Sequence, residues 1–460
     1  MKKILYFLKK NALVILISFS LGGFAGYKVL ESLGIAFLLS SIPIPEGSIA
    51  DKDAFIETLP EGKPLSQKAI IPIKNKPKNI ILLISDGMSL TQVSTYRLLK
   101  GGPNERIAVD KFPVSGIVLT HSENAIVTDS ASSATAFSTG RKTNNGALGL
   151  DEDNKILENF TEIIDRYGYV SSLISTSEIT HATPAAYASH VDLRWKTDEI
   201  SLQMMESKVM TILGGGRHFF LPEDLGGKRS DGLNLLEQME SSRMVMTEKK
   251  ELDSFDHSDL GKVVGLFADE ALRDKEKPEN HVFEPSSSEM LNFAINRSEK
   301  FNENGCKGFF IMLEGSQVDW AGHANDLNYL KREMQDFDEA VELALDYATQ
   351  NPDTLVIATA DHETGGLLIE SSSPTDYTAP EVKFSFNTGI GYGSHTGVPV
   401  PVYAYGPGSE NFTGTLDNTD IFYACLLYTS PSPRDQRGSR MPAWAWKKKG
   451  GGGGGGGGGG

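Results

Sequence analysis

Residues 79–86 read NIILLISD: Ile80 to Ile84 are aliphatic without a break, and Asp86 ends the stretch. A strand with one wet face alternates apolar and polar residues. An unbroken run of this length suits a strand covered on both faces, as in a parallel sheet. Two other stretches repeat the pattern, GFFIML at 308–313 followed by Glu314, and TLVIATA at 354–360 followed by Asp361. Between them, Leu330, Met334, Phe337, Val341 and Leu345 recur every three or four residues, with Pro352 just past the end. Residues 89–100 likewise read as a helix, stopped by Gly101 and Gly102. Strands alternating with helices predict an α/β fold, a central and mostly parallel sheet sandwiched by helices. In such sheets ligands gather outside the carboxyl ends of the strands, so three acids delivered there predict a site.

Histidines accompany those acids. EGSQVDWAGH sets Asp319 and His323 four residues apart, on one face of a helical turn, close behind Glu314. ADHETGG puts Asp361 beside His362, and SHTG adds His395. Neither of the two cysteines, Cys306 and Cys425, falls near these motifs, so a bound metal would be held by nitrogen and oxygen, a donor set that suits Zn²⁺ and Mg²⁺.

The 460-residue chain carries a net charge of −16, which argues against a nucleic-acid-binding surface. At its start, Lys2, Lys3, Lys9 and Lys10 precede 17 uncharged residues at 11–27. Residues 1–30 therefore read as a signal peptide or an N-terminal membrane anchor, which predicts an exported protein, periplasmic or extracellular, with an inner-membrane tether if the segment is uncleaved. The Pro- and Lys-rich residues 31–78 read as a linker. At the other end, CLLYTSPSPRD at 425–435 back-translates to a transposase-type sequencing adapter, and the chain closes on a run of glycines. Residues 424–460 are expected to be a translated artefact, ending the true chain near Tyr423 with its last helix truncated. Six basic residues and one acidic residue lie in that segment, so the remainder is more acidic still. No internal repeat is present, and 197–285, rich in charge and glycine, is the least legible stretch.

Six motifs in order, DGM (86–88), TDSASSATA (128–136), HATPAAYASH (181–190), EGSQVDWAGHAND (314–326), ADHETGG (360–366) and SHTGVPVPVYAYGPG (394–408), resemble the alkaline phosphatase family over about 79–423. The resemblance implies an alkaline phosphatase-like fold and hydrolysis of small phosphate monoesters to alcohol and phosphate through a phosphoserine. It further implies one zinc at Asp319, His323 and His395, a second at Asp86, Asp361 and His362, and a magnesium at Asp86, Thr183 and Glu314. Ser130 would be the nucleophile and Arg194 the phosphate clamp. His181 and Trp320 would touch bound phosphate through water or shape the magnesium site. The familiar enterobacterial enzymes carry other residues at those last two positions. A homodimer is compatible with the resemblance.

Of the seven hydroxyls in VTDSASSATAFSTG (127–140), only Ser130 thus has a chemical reason to react. Ala131, Ala134 and Ala136 make the segment helix-competent, which predicts Ser130 near a helix N-terminus, where an anion is favoured. Asp129 is expected to cap that helix or to orient Arg194. The nearest alternatives are a phosphodiesterase or sulfatase of the same superfamily. A sulfatase would need Pro two positions after the nucleophile, where this chain has Ser132, and a diesterase typically offers a threonine nucleophile.

Overall fold

The computed structural model describes residues 76–239, 242–272, 283–372, 381–389 and 392–429. The expected leader, nearly all of the linker and everything from residue 430 onward lie outside that range. Among the described residues no helix is long and apolar enough to cross a membrane.

The strands in chain order begin with β1 (Asn79–Ser85), β2 (Val114–Leu119), β3 (Val170–Glu178), β4 (Thr211–Gly215), β5 (Arg243–Met246), β6 (Lys262–Leu266) and β7 (Phe309–Gly315). They continue with β8 (Thr354–Thr359), β9 (Glu363–Thr364), β10 (Leu367–Ser371), β11 (Val382–Phe386), β12 (His395–Thr396), β13 (Val400–Tyr405) and β14 (Gly414–Asp417). Ten form one sheet in the order β14-β2-β13-β8-β1-β7-β3-β4-β6-β5. Only β13 runs against its neighbours; every other pairing in this sheet is parallel.

The three apolar runs are β1, β7 and β8, adjacent at the centre and buried at every position. Both faces are covered. Phe309 packs on Tyr347 of one helical layer, while the next residue, Phe310, meets Phe160 and Tyr187 of the other. The first layer contains α1 (Leu90–Gly101), α4 (Ser287–Glu303) and α6 (Leu327–Gln350). The second contains α2 (Ser130–Thr139), α3 (Phe160–Asp165) and α7 (Asn418–Thr429). A short helix, α5 (Gln317–Ala324), leads from β7 into α6.

The helix signals hold in detail. Ser89 caps α1 in a capping box with Gln92, and Gly102, at φ +96°, ends it. The predicted apolar stripe of α6 is buried from Leu330 to Leu345. Helix α7 runs through the expected artefact boundary, with Ala424 and Cys425 in the core. The illegible stretch 197–285 supplies the short strands β4, β5 and β6.

One polar tie steadies the second layer. His190 lies 2.9 Å through Nδ1 from Gly149 O and 3.1 Å through Nε2 from Glu162 Oε1, and Glu162 itself closes the capping box of α3. Both partners are acceptors, so only the imidazolium satisfies both. Burial opposes the charge, but Glu162 and the Gly149 carbonyl outweigh it and raise the His190 pKa. A raised histidine pKa gives stability that is complete below the unfolded value of about 6.5 and lost as pH climbs through the folded one. His190→Gln is therefore expected to cost about 1 kcal/mol more at pH 6 than at pH 9. Urea midpoints at the two pH values read this directly, and an equal cost at both would rule out the charged bridge.

Candidate active site

Register brings the acids together. Ile84 of β1 pairs with Glu314 of β7 on one side and Thr359 of β8 on the other, so the strands end level. Asp86, Glu314 and Asp361 emerge at one edge, all buried, with Asp319 entering from the third residue of α5. Gly87 makes the approach feasible. Its φ is +80°, and a Cβ there would lie 2.6 Å from the Asp319 Cα.

Ser130 is the first residue of α2, as predicted, and Asp129 performs both expected tasks. One Asp129 oxygen caps the helix by accepting from Ser132 N at 3.0 Å. The other accepts from Gly146 N at 3.1 Å and from Arg194 Nη1 at 3.2 Å. Burial alone would raise the Asp129 pKa, but Arg194 and these N–H donors hold it below the usual range. Ser130 Oγ donates to Asp86 Oδ2 at 3.4 Å and lies 3.2 Å from His362 Nε2.

Around the serine stand three groups of ligand-type atoms, each close enough together to share an ion: Asp319 with His323 and His395; Asp86 with Asp319 and His362; and Asp86 with His181 and Glu314. The first is the expected trio. His323 Nδ1 and His395 Nδ1 are tied to the Gly393 and Thr128 carbonyls at 2.6 and 2.9 Å, which turns both Nε2 atoms toward Asp319 at 3.3 and 3.4 Å. In the second, Asp319 stands where Asp361 was expected, because α5 approaches β1 closely enough to bring its carboxylate between Asp86 and His362. The Asp361 Oδ1 accepts from the Gly87 and His362 backbones, while its Oδ2 sits 3.1 Å from His362 Nε2. In the third, His181 joins the expected Asp86 and Glu314, with Thr183 beside Glu314.

Several buried oxygens here lack hydrogen-bond partners: Asp86 Oδ1, Asp361 Oδ2, Glu314 Oε1 and Thr183 Oγ1. Such orphans are costly unless a cation completes them. The electrostatics agree. Burial and mutual repulsion push Asp86 well up and Asp361 to about 7. Burial also raises Glu314, against the pull of the hydrogen bonds from Ser175 and Ser316. Asp319 goes the other way, since His323 and His395 more than offset its burial. His395 rises to about 9 because Asp319 outweighs the burial opposing its charge. Four buried carboxylates beside one arginine form a nitrogen- and oxygen-lined receptacle for metal ions.

Arg194 Nη2 donates to His181 Nε2 at 2.9 Å. Arginine has no acceptor, so His181 carries its proton on Nδ1. Burial, then the Arg194 charge, lowers the His181 pKa to about 3 and keeps the ring neutral. Trp320 meets that ring edge-on, centroids 6.2 Å apart, and so reaches the site through His181.

Some contributors escaped the motifs. Ser175 and Ser316 donate to Glu314 Oε2 at 2.6 and 2.8 Å, and Ser177 does so at 3.4 Å, leaving Oε1 facing the site. The alternate serines 175 and 177 at the carboxyl end of β3 were the available signal. Thr364 donates to Asp319 Oδ1 and lies 3.3 Å from His362 Nδ1, bracing both.

Comparison with known proteins places this arrangement. The model of the alkaline phosphatase family matches residues 77–379. Alkaline phosphatase 3 of Bacillus subtilis (strain 168) is 33% identical over 419 residues, covering 75% of this chain and 87% of that protein. The structure of alkaline phosphatase from the Antarctic bacterium TAB5 aligns with TM-score 0.69 and 37% identity over 77% of this chain and 99% of that one. A histidine-to-aspartate variant of the TAB5 enzyme, with magnesium bound in its M3 site, aligns at TM-score 0.67 and 36% identity, covering 77% and 98%. Six ordered motifs meet at one sheet edge, and the family's pattern runs through them: the chain belongs to the alkaline phosphatase family and is a phosphomonoesterase.

Proposed function

We propose that this chain hydrolyses phosphate monoesters through a phosphoserine at residue 130. The observation that carries the reading is Ser130 Oγ, on the first residue of a buried helix, between Asp86 and His362 and among orphaned carboxylate oxygens. Asp319, His323 and His395 would hold one zinc, Asp86, Asp361 and His362 a second, and Asp86, Thr183 and Glu314 a magnesium, with His181 bordering the last. Those ions, when bound, supply Lewis-acid stabilisation to the attacking and leaving oxygens.

The chain's own residues do the rest. Arg194 offers a planar fork to two phosphate oxygens, and Asp129 and His181 hold that fork beside the α2 N-terminus. The helix dipole adds a fixed positive field at the phosphate. Ser130 Oγ attacks phosphorus as the bond to the alcohol oxygen breaks; the serine gives up its proton to solvent and the departing alkoxide takes one from water, so the alcohol leaves neutral. Water then attacks the phosphoserine, releases inorganic phosphate and restores the hydroxyl. Thr364 and the serines on Glu314 keep the carboxylates oriented while charge moves. The basic, apolar leader supports action outside the cytoplasm.

Chelation tests the metal dependence. Hydrolysis of an aryl phosphate at alkaline pH is expected to fall about a hundredfold or more, and to return only with both zinc and magnesium. Rates unaffected by chelator would sink the metal-dependent reading, and faster turnover of diesters than of monoesters would reassign the substrate class.

A further inference from the structure

Fifteen large hydrophobic residues are exposed among the described residues, and six of them lie within four positions of Ser130, Arg194 or His395. These are Ile126, Val127, Leu193, Trp195, Tyr392 and Val398. Scattered apolar surface needs no explanation, but apolar side chains exposed directly beside a polar site do. Two of the six touch the machinery. The Trp195 ring lies 5.1 Å from the Arg194 guanidinium carbon and is 53% exposed. Tyr392 stacks on His323, centroids 4.7 Å apart and planes 14° from parallel, and is 66% exposed. Ile126 and Val127 pack against Gly397 beside Val398, and His395 Nδ1 binds the Thr128 carbonyl next to them.

Resting on the phosphomonoesterase reading above, we propose that this rim is a subsite for the alcohol portion of the substrate. The preferred substrates are then phosphate monoesters of alcohols bearing an aromatic or other apolar group. The phosphate end is held by charge on Arg194 and the buried site. The alcohol end leaves through the mouth, where Trp195 flanks the clamp and Tyr392 flanks the histidine trio. A ring or apolar chain there exchanges water for an aromatic face, whereas a small polar alcohol gains nothing. The second copy of this chain that could instead cover such a patch would leave turnover of small and large esters alike. Continuity with Arg194 and His323 favours the substrate as occupant.

Steady-state hydrolysis of 2-phenylethyl phosphate and ethyl phosphate tests this. Both are primary alkyl esters of similar intrinsic reactivity, so their ratio of kcat/KM reports the ring. The metal-loaded full chain is expected to favour the phenylethyl ester about tenfold. Trp195→Ala should cut that preference by more than it raises the Ki for inorganic phosphate, and Trp195→Phe should keep most of it. Tyr392→Ala gives a second, independent loss. A wild-type ratio near one would overturn the subsite, as would a ratio that survives both alanine variants. So would a Trp195→Ala effect carried wholly by phosphate affinity, which would make Trp195 a support for Arg194 alone. Hydrolysis of neither ester would overturn the phosphomonoesterase reading itself, and the subsite with it.

Discussion

Ser130→Ala is expected to reduce phosphate monoester hydrolysis by at least ~10³-fold while leaving inorganic phosphate bound. The asymmetry follows from where the hydroxyl sits. Removing one oxygen from a buried position on α2 takes away the attacking atom but none of the groups that hold the phosphate. Arg194 stays fixed by Asp129 and His181, and the cap on α2 uses Asp129 and the Ser132 backbone, not the Ser130 side chain. The fold should tolerate the change, since three alanines of the same buried helix, Ala131, Ala134 and Ala136, are already accommodated. Acid-quenched mass spectrometry supplies the second readout: phosphate should appear on the peptide containing residue 130 in the native chain and on no residue of the variant. A variant that keeps full activity, or a phosphorylated side chain elsewhere, would remove Ser130 from the reaction.

That serine shows how far sequence carries and where it stops. The apolar runs of β1, β7 and β8 announce themselves because strands buried on both faces cannot alternate, and each acid that ends a run is visible for the same reason. The motif histidines and Asp319 were legible because a helical four-residue spacing is a local property. Sharing between clusters is not local. Asp319 reaches both the His323–His395 group and the Asp86–His362 group only because Gly87 lets α5 approach β1 closely, a contact across 232 positions of chain. His181 enters the third cluster for a similar reason, through a loop whose position depends on β3 and Arg194 rather than on its own neighbours. The strands β4, β6 and β5 stayed hidden because they are four or five residues long and lie amid glycines and charges. The reversed direction of β13 likewise has no signature in its own residues; its partners β2 and β8 determine it.

Asp86→Asn should divide stability from activity. In the metal-free protein Asp86 faces Asp361, Asp319 and Glu314 with one oxygen unpartnered, and burial together with those three charges disfavours its ionised form. Asparagine has nearly the same shape without the charge, and its amide can donate toward the orphaned oxygens of Asp361 or Glu314. Metal-free Asp86→Asn is therefore expected to be more stable than the metal-free native chain, by about 2 kcal/mol. With zinc and magnesium added the order should reverse. Asp86 is the carboxylate assigned to two ions at once, and a neutral amide is a far weaker partner for either, so activity should fall about 10³-fold and the gain in stability on metal addition should shrink. Thermal melting in chelator and in saturating metal measures both halves of the claim. If the substitution destabilised the metal-free protein as much as the loaded one, the four carboxylates would not be repelling one another. The site would then owe its geometry to packing, with no need of a cation to hold it.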